Sequence, residues 1–166
     1  MGIHLVGDKD RFAIEYELLP MERPFGHVRL WVAGQWFGDI ERDMFLHHMA
    51  KTLKWMVLRK PFRDDVVYAA EADAPSDAVL LAKCGWSWGD VFDDFSFALY
   101  AAEAERQVHV LWALSENRVD VFPDYPRGPH HARIPYAVFD DVVRRFLWAA
   151  RFRDLLADEP EQPGTR

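Results

Sequence analysis

The stretch His27-Val28-Arg29-Leu30-Trp31-Val32-Ala33-Gly34-Gln35-Trp36-Phe37-Gly38-Asp39-Ile40 decides the fold class. Val28, Leu30 and Val32 alternate with Arg29 and Trp31, the period of a strand with one buried face. Gly34-Gln35 puts glycine first in a two-residue link, as a type II′ hairpin turn requires. Trp36 to Ile40 is then the returning strand, with Ala33 opposite Trp36 and Val32 opposite Phe37. Towards the N-terminus the same period recurs. Phe12, Ile14, Tyr16 and Leu18 alternate with Ala13, Glu15 and Glu17, and Ile3 to Val6 forms a short strand before the polar turn Gly7-Asp8-Lys9-Asp10.

Towards the C-terminus the period changes. Phe45, Met49, Leu53 and Met56 share one face of a helix expected over Asp43 to Leu58, with Asp43 as N-cap and Pro61 beyond its end. Ser76 caps a short helix, Asp77 to Lys83, that Gly85 stops. Phe95 to Ala101 and Gln107 to Leu114 read as strands, and Ser115-Glu116-Asn117 turns into a further strand, Arg118 to Phe122. Pro123, Pro126, Gly128 and Pro129 mark a loop. Tyr136 to Leu156 is a second long helix, with Phe139, Val143, Phe146 and Ala150 along one stripe. Hairpins dominate and no regular βαβ repeat is present, so the expected fold is α+β: a mainly antiparallel sheet with two long helices packed on it. It forms one domain over residues 1–157, followed by a polar tail, 158–166.

The composition supports a packed core, with 166 residues of which half are apolar and 14% aromatic. Cys84 is the only cysteine, which excludes an intramolecular disulfide and a cysteine-based zinc site. The N-terminus has no basic and apolar leader pattern, and no run approaches the roughly 18 apolar residues of a membrane span, so a cytoplasmic location is expected. The formal charge is −7, and it is concentrated. Between Pro61 and Glu105 only Arg63 and Lys83 are basic, against Asp64, Asp65, Glu71, Asp73, Asp77, Asp90, Asp93, Asp94, Glu103 and Glu105. Such a segment repels phosphate backbones, which argues against nucleic acid. It either attracts a basic protein surface or serves as a solvated acidic face.

Gly85-Trp86-Ser87-Trp88-Gly89 matches G-x-S-x-G, the nucleophile elbow of α/β-hydrolases, and Asp120 or Asp124 followed by His130 or His131 would complete a triad in the right order. An elbow needs a helix directly after it and parallel βα units before it. The sequence offers neither, so a small serine hydrolase is the alternative reading rather than the first. His47-His48 diverge by roughly 100° on a helix and cannot share an ion, and His130-His131 sits in the Pro/Gly loop. Asp90, Asp93 and Asp94 lack the spaced ligands of a calcium loop. Cys84 with His109 could form a thiol pair, although a lone cysteine at a helix end is more often a small buried residue. No metal or cofactor is expected. Trp31, Trp36, Trp55, Trp112 and Trp148 fall in regular elements, as core or its rim. Trp86 and Trp88 fall in a loop within the acidic segment, where they either plug a sheet end or anchor a partner.

Val6-Gly7-Asp8-Lys9-Asp10-Arg11-Phe12-Ala13-Ile14-Glu15-Tyr16-Glu17-Leu18, then Gly26-His27, then Leu30-Trp31-Val32-Ala33-Gly34-Gln35 and Phe37-Gly38-Asp39, resembles the family 42 immunity proteins of bacterial polymorphic toxin systems. The likeness covers roughly residues 5 to 58. It rests on turn glycines and strand aromatics and identifies no active site. It implies a cytoplasmic antidote that binds and blocks a cognate secreted toxin. The charge segregation points to Asp64, Asp65, Glu71, Asp73, Trp86, Trp88, Asp90, Asp93 and Asp94 as the contact surface for a toxin with a basic face. A generic protein-binding adaptor fits the same residues. Open strand edges would also allow two copies to pair.

Overall fold

A computed structural model describes residues 2–20, 24–58, 81, 88, 91–102, 105–152 and 154. In these residues the chain forms eight strands and two helices. The strands are β1 (His4–Asp8), β2 (Phe12–Leu18), β3 (Phe25–Val32), β4 (Gln35–Phe37), β5 (Met44–Phe45), β6 (Phe95–Ala102), β7 (Gln107–Leu114) and β8 (His130–Pro135). The helices are α1 (His47–Leu58) and α2 (Tyr136–Ala149). The strands divide between two sheets, antiparallel throughout. One has the order β1-β2-β3-β4 with β5 also on β3, and the other the order β6-β7-β8. The architecture is α+β, as the alternation of hairpins and helical stripes requires.

The apolar alternation does its expected work. Phe12, Ile14 and Tyr16 of β2 and Val28, Leu30 and Val32 of β3 all point to the inner face and are buried. Phe139 and Phe146 of α2 pack on them, Phe139 stacked on Phe12 at 5.2 Å and Phe146 edge-on to Tyr16 at 5.2 Å. From the second sheet Phe97, Leu99, Val110 and Trp112 join the same core, which also takes Met49, Leu53 and Met56 of α1. Each such side chain contributes about 1.5–3 kcal/mol when fully buried, so this shared core couples both sheets and both helices.

The two Gly-Asp pairs in the described residues share a backbone feature. Gly7-Asp8 closes β1, paired with Ala13 and Phe12, so the turn there is Lys9 to Arg11, and Gly38-Asp39 follows β4. Gly7 and Gly38 have φ of 105° and 101°, a region that other residues rarely adopt. A side chain at Gly7 would meet the Phe12 carbonyl at 2.3 Å, and one at Gly38 the Phe92 ring at 2.8 Å. Each aspartate accepts from the amide two residues on, Asp8 from Asp10 at 2.9 Å and Asp39 from Glu41 at 3.0 Å. The third pair, Gly89-Asp90, lies outside the described residues.

Four local expectations need correction. The hairpin turn is Ala33-Gly34, not Gly34-Gln35. Both residues have positive φ (51° and 80°), the signature of type I′, and Val32 pairs with Gln35 while Leu30 pairs with Phe37. The shift is two residues, so every side chain keeps its face. It lets the turn dock on the neighbouring hairpin, with the Gly34 amide donating to the Lys9 carbonyl at 2.9 Å. Next, α1 starts at His47 because Met44-Phe45 are drawn into pairing with Gly26 and Phe25, leaving Phe45 41% exposed. Third, Arg118 to Phe122 is a run of turns. The strand beside β7 is instead β8, in residues read as the end of a loop. Finally, α2 ends at Ala149. Arg151 takes φ 65° and the Phe152 amide donates to Leu147 O at 2.8 Å, a reversal that returns Phe152 to the core.

Candidate interaction surface

Of the residues expected to form the contact surface, Asp64, Asp65, Glu71, Asp73, Trp86 and Asp90 lie outside the described residues, as do Cys84, Ser87 and the short helix from Asp77 apart from Leu81. Asp93 is exposed. Trp88 and Asp94 are not surface residues. Trp88 is 4% exposed, with its ring 4.7 Å from that of Phe97 and 5.2 Å from that of Phe92. It plugs the core. Asp94 has no exposed surface and forms ion pairs with Arg42, at 3.3 Å, and with Arg118. The Phe92-Asp93-Asp94 turn therefore presents one carboxylate outwards and spends the other on holding the fold.

The histidines also resolve by strand geometry. Neighbouring residues of β8 point to opposite faces, so His130 and His131 cannot share an ion. His130 stacks on Trp112 at 5.3 Å, while His131 Nε2 lies 2.8 Å from His109 Nδ1 on the other face. His109 is almost fully buried, with Tyr100 OH 3.2 Å from Nδ1 and Glu105 3.1 Å from Nε2. Burial pushes the His109 imidazole below its ordinary pKa, and its electrostatic interactions with His131 and Arg133 add to that against the opposing pull of Glu105. Among the described residues no set of three or more His, Cys, Asp or Glu side chains is arranged to hold a metal ion.

The most organised polar surface lies on the outer face of the five-stranded sheet, away from the helices. The register places Leu5, Glu15 and Arg29 in one cross-strand row and Ala13 and Trp31 in the next. Glu15 receives Arg29 Nε at 2.6 Å, Trp31 Nε1 at 2.7 Å and Lys9 Nζ at 3.2 Å. Burial alone would raise the Glu15 carboxyl, but Arg29, Trp31 and Lys9 outweigh it and hold it below the usual carboxylate range. Two cations lie near the Trp31 ring, Lys9 at 4.2 Å and Arg29 at 5.1 Å. Arg29 also lies 5.5 Å from the Trp36 ring, extending the row to the sheet edge. At the other end His27 bonds Asp43 at 2.7 Å, and this is the role of the aspartate expected to cap α1. Ile3, Leu5 and Phe45 stand exposed around the face. Alternation shows Glu15, Arg29 and Trp31 as outward residues. Only the cross-strand register brings them together, and that needs the hairpin to be placed correctly.

Such a face holds aromatic and charged side chains in fixed positions without a nucleophile and base in contact. Fixed aromatic and charged side chains of this kind suit contact with a partner surface. Trp148 is a further outward aromatic, 58% exposed on α2 rather than in the core or its rim. The family model for immunity protein 42 matches residues 1–147, which extends the likeness of the first 58 residues through the second sheet and nearly all of α2. No curated protein and no solved structure matches the chain.

Proposed function

From the chain's membership of the immunity protein 42 family, we propose that it neutralises a cognate secreted bacterial toxin by stoichiometric, non-covalent binding in the cytoplasm. The family match over residues 1–147 is the observation that carries this reading. A rigid shared core and a preordered outer face of aromatic and charged side chains support it, because binding then orders few side chains. Among the described residues no helix is long and apolar enough to cross a membrane. The chain acts as a binding protein and not as an enzyme. Its acidic middle segment favours a toxin with a basic surface, such as one that handles phosphates. The contact residues proposed from charge are Asp64, Asp65, Glu71, Asp73, Trp86, Asp90 and Asp93. Trp88 and Asp94 are withdrawn from that set because they build the core.

The test is a co-expression rescue. The open reading frame beside this gene is induced in a bacterial host with and without the chain. Growth arrest relieved by the chain, with the two proteins co-purifying, supports the antidote reading. A harmless neighbour, or one that stays lethal beside abundant folded chain, overturns it for that pair. Charge reversal at Asp64, Asp65 and Asp93 should then weaken the complex and steepen its loss with salt. Unchanged affinity would remove the acidic segment as the contact.

A further inference from the structure

We propose that a groove between the β3–β4 hairpin and the loop 121–126 receives a lysine or arginine side chain of the protein partner. The inference rests on the binding role proposed above and gives it a chemistry and a place. The groove has a volume of about 420 Å³. Its walls are three aromatic rings, with Trp36 5.0 Å from Tyr125 and 5.6 Å from Phe122, both at steep angles. Val121 stands 49% exposed at its mouth. Ring faces carry partial negative charge and attract cations. Trp36 already shows the preference, since the Arg29 guanidinium lies 5.5 Å from its ring. Glu15, at 2.6 Å, offsets part of that guanidinium's charge while also pairing with Lys9, so Arg29 does not repel a second cation at full strength.

Two acceptors of the groove are without a partner among the described residues. Gln35 Oε1 is buried and takes no hydrogen bond among the described residues. Asp124 is exposed and has no ion pair among them. An anion would face Asp124 and the ring faces together. A purely apolar side chain would leave Gln35 Oε1 without a donor, which is costly for a buried group. A long apolar stem ending in N–H donors and positive charge satisfies every wall at once. The groove is also preformed. The Tyr125 hydroxyl donates to the Trp36 carbonyl and accepts from Trp112 Nε1 at 3.0 Å, so the ring that forms one wall is tied to both sheets.

The first experiment needs no toxin. The full chain, labelled with ¹⁵N, is titrated with N-acetyl-arginine amide, N-acetyl-lysine amide and, as control, N-acetyl-leucine amide. A saturable shift of the Trp36 indole and Gln35 amide signals is expected with the cationic amides alone, weakened at least threefold in Asp124→Asn. No localised shift, or an equal one with the leucine amide, overturns the proposal. In the complex, Asp124→Lys should weaken toxin binding at least tenfold while leaving the thermal midpoint unchanged. Tight binding by that variant overturns the groove and leaves the antidote role standing. A wild-type chain that binds the cationic amides but no toxin overturns the role instead.

Discussion

Arg118, in the turn after β7, closes on Asp94, the fully buried residue that precedes β6, and Arg42 reaches the same carboxylate from between β4 and β5 at 3.3 Å. One carboxylate thus ties the two ends of the β6–β7 hairpin to the other sheet. Removing one partner of such a set leaves charges without compensation. Asp94→Ala should cost about 2–4 kcal/mol of stability. Asp93→Ala, one residue away and exposed, should fall within about 0.5 kcal/mol of wild type. Chemical denaturation of the two variants side by side checks this, and equal effects would mean that the pair with Arg118 carries no stability.

Gly38 is the second place where the sheets are joined. The Asp39 amide donates to the Val91 carbonyl at 2.8 Å, and the Phe92 ring fills the space a side chain at position 38 would take. Gly38→Ala combines an unfavourable φ of 101° with an overpacked contact, for a cost of about 1–3 kcal/mol. Gly34→Asn is the control, because asparagine tolerates a positive φ and the nearest atom to an added Cβ there is 3.7 Å away. It should change the thermal midpoint far less. A similar loss in both would argue against the Phe92 contact as the cause.

Trp88 tests the choice between plug and anchor. Packed against Phe92 and Phe97 and 4% exposed, it should behave as core. Trp88→Ala is expected to cost about 3–5 kcal/mol. A folded variant of unchanged midpoint with weakened toxin binding would instead make it a contact residue.

What the sequence revealed follows the reach of each signal. The alternation of Phe12 to Leu18 and the run of strand-forming residues from Gln107 to Leu114 are local signals, and both strands have the expected ends. The stripe Phe139, Val143, Phe146 and Ala150 is likewise all core. The hairpin register differs by two from the reading of Gly34-Gln35 as the turn because Ala33 accepts a positive φ that its propensity disfavours, a cost met by contacts with the Lys9 turn. Strand β8 was hidden since His130 to Pro135 has little apolar alternation. It pairs because Ile134 and Ala132 fit beneath α2 and the histidines find aromatic neighbours. The acidic residues offered charge but no burial, so Asp94, a structural ion-pair centre, could not be told from Asp93.

Glu15 gives a pH dependence with a fixed sign. Its folded pKa lies below the ordinary value despite burial, because Arg29, Trp31 and Lys9 favour the charged form. A carboxylate of this kind adds stability above its unfolded pKa of about 4.3, and the gain is lost as pH falls through the folded value. Glu15→Gln should therefore be less stable than wild type at pH 7, and the gap should narrow as pH falls below that range. Denaturant midpoints at several pH values check it. A gap that widens in acid would reverse the assignment.

His109 should act in the opposite sense and in a different window. The native imidazole is held below its ordinary pKa by burial, aided by His131 and Arg133, while Glu105 at 3.1 Å pulls the other way. As pH falls through about 6.5 the unfolded chain takes up a proton on this histidine that the native chain still refuses. Stability then falls with pH from that point down to the folded pKa. Protonation would also place a donor on Nδ1, where Tyr100 and His131 both approach at hydrogen-bonding distance. His109→Gln removes the titrating group, so its loss of stability between pH 7.5 and pH 5.5 should be smaller than that of wild type. Glu105→Gln removes the group that favours the proton in the native state, so its loss over the same interval should be larger. Equilibrium urea unfolding of the three chains at both pH values measures all of this. Identical losses in wild type and His109→Gln would show that His109 does not set the acid response, whatever the two absolute stabilities are.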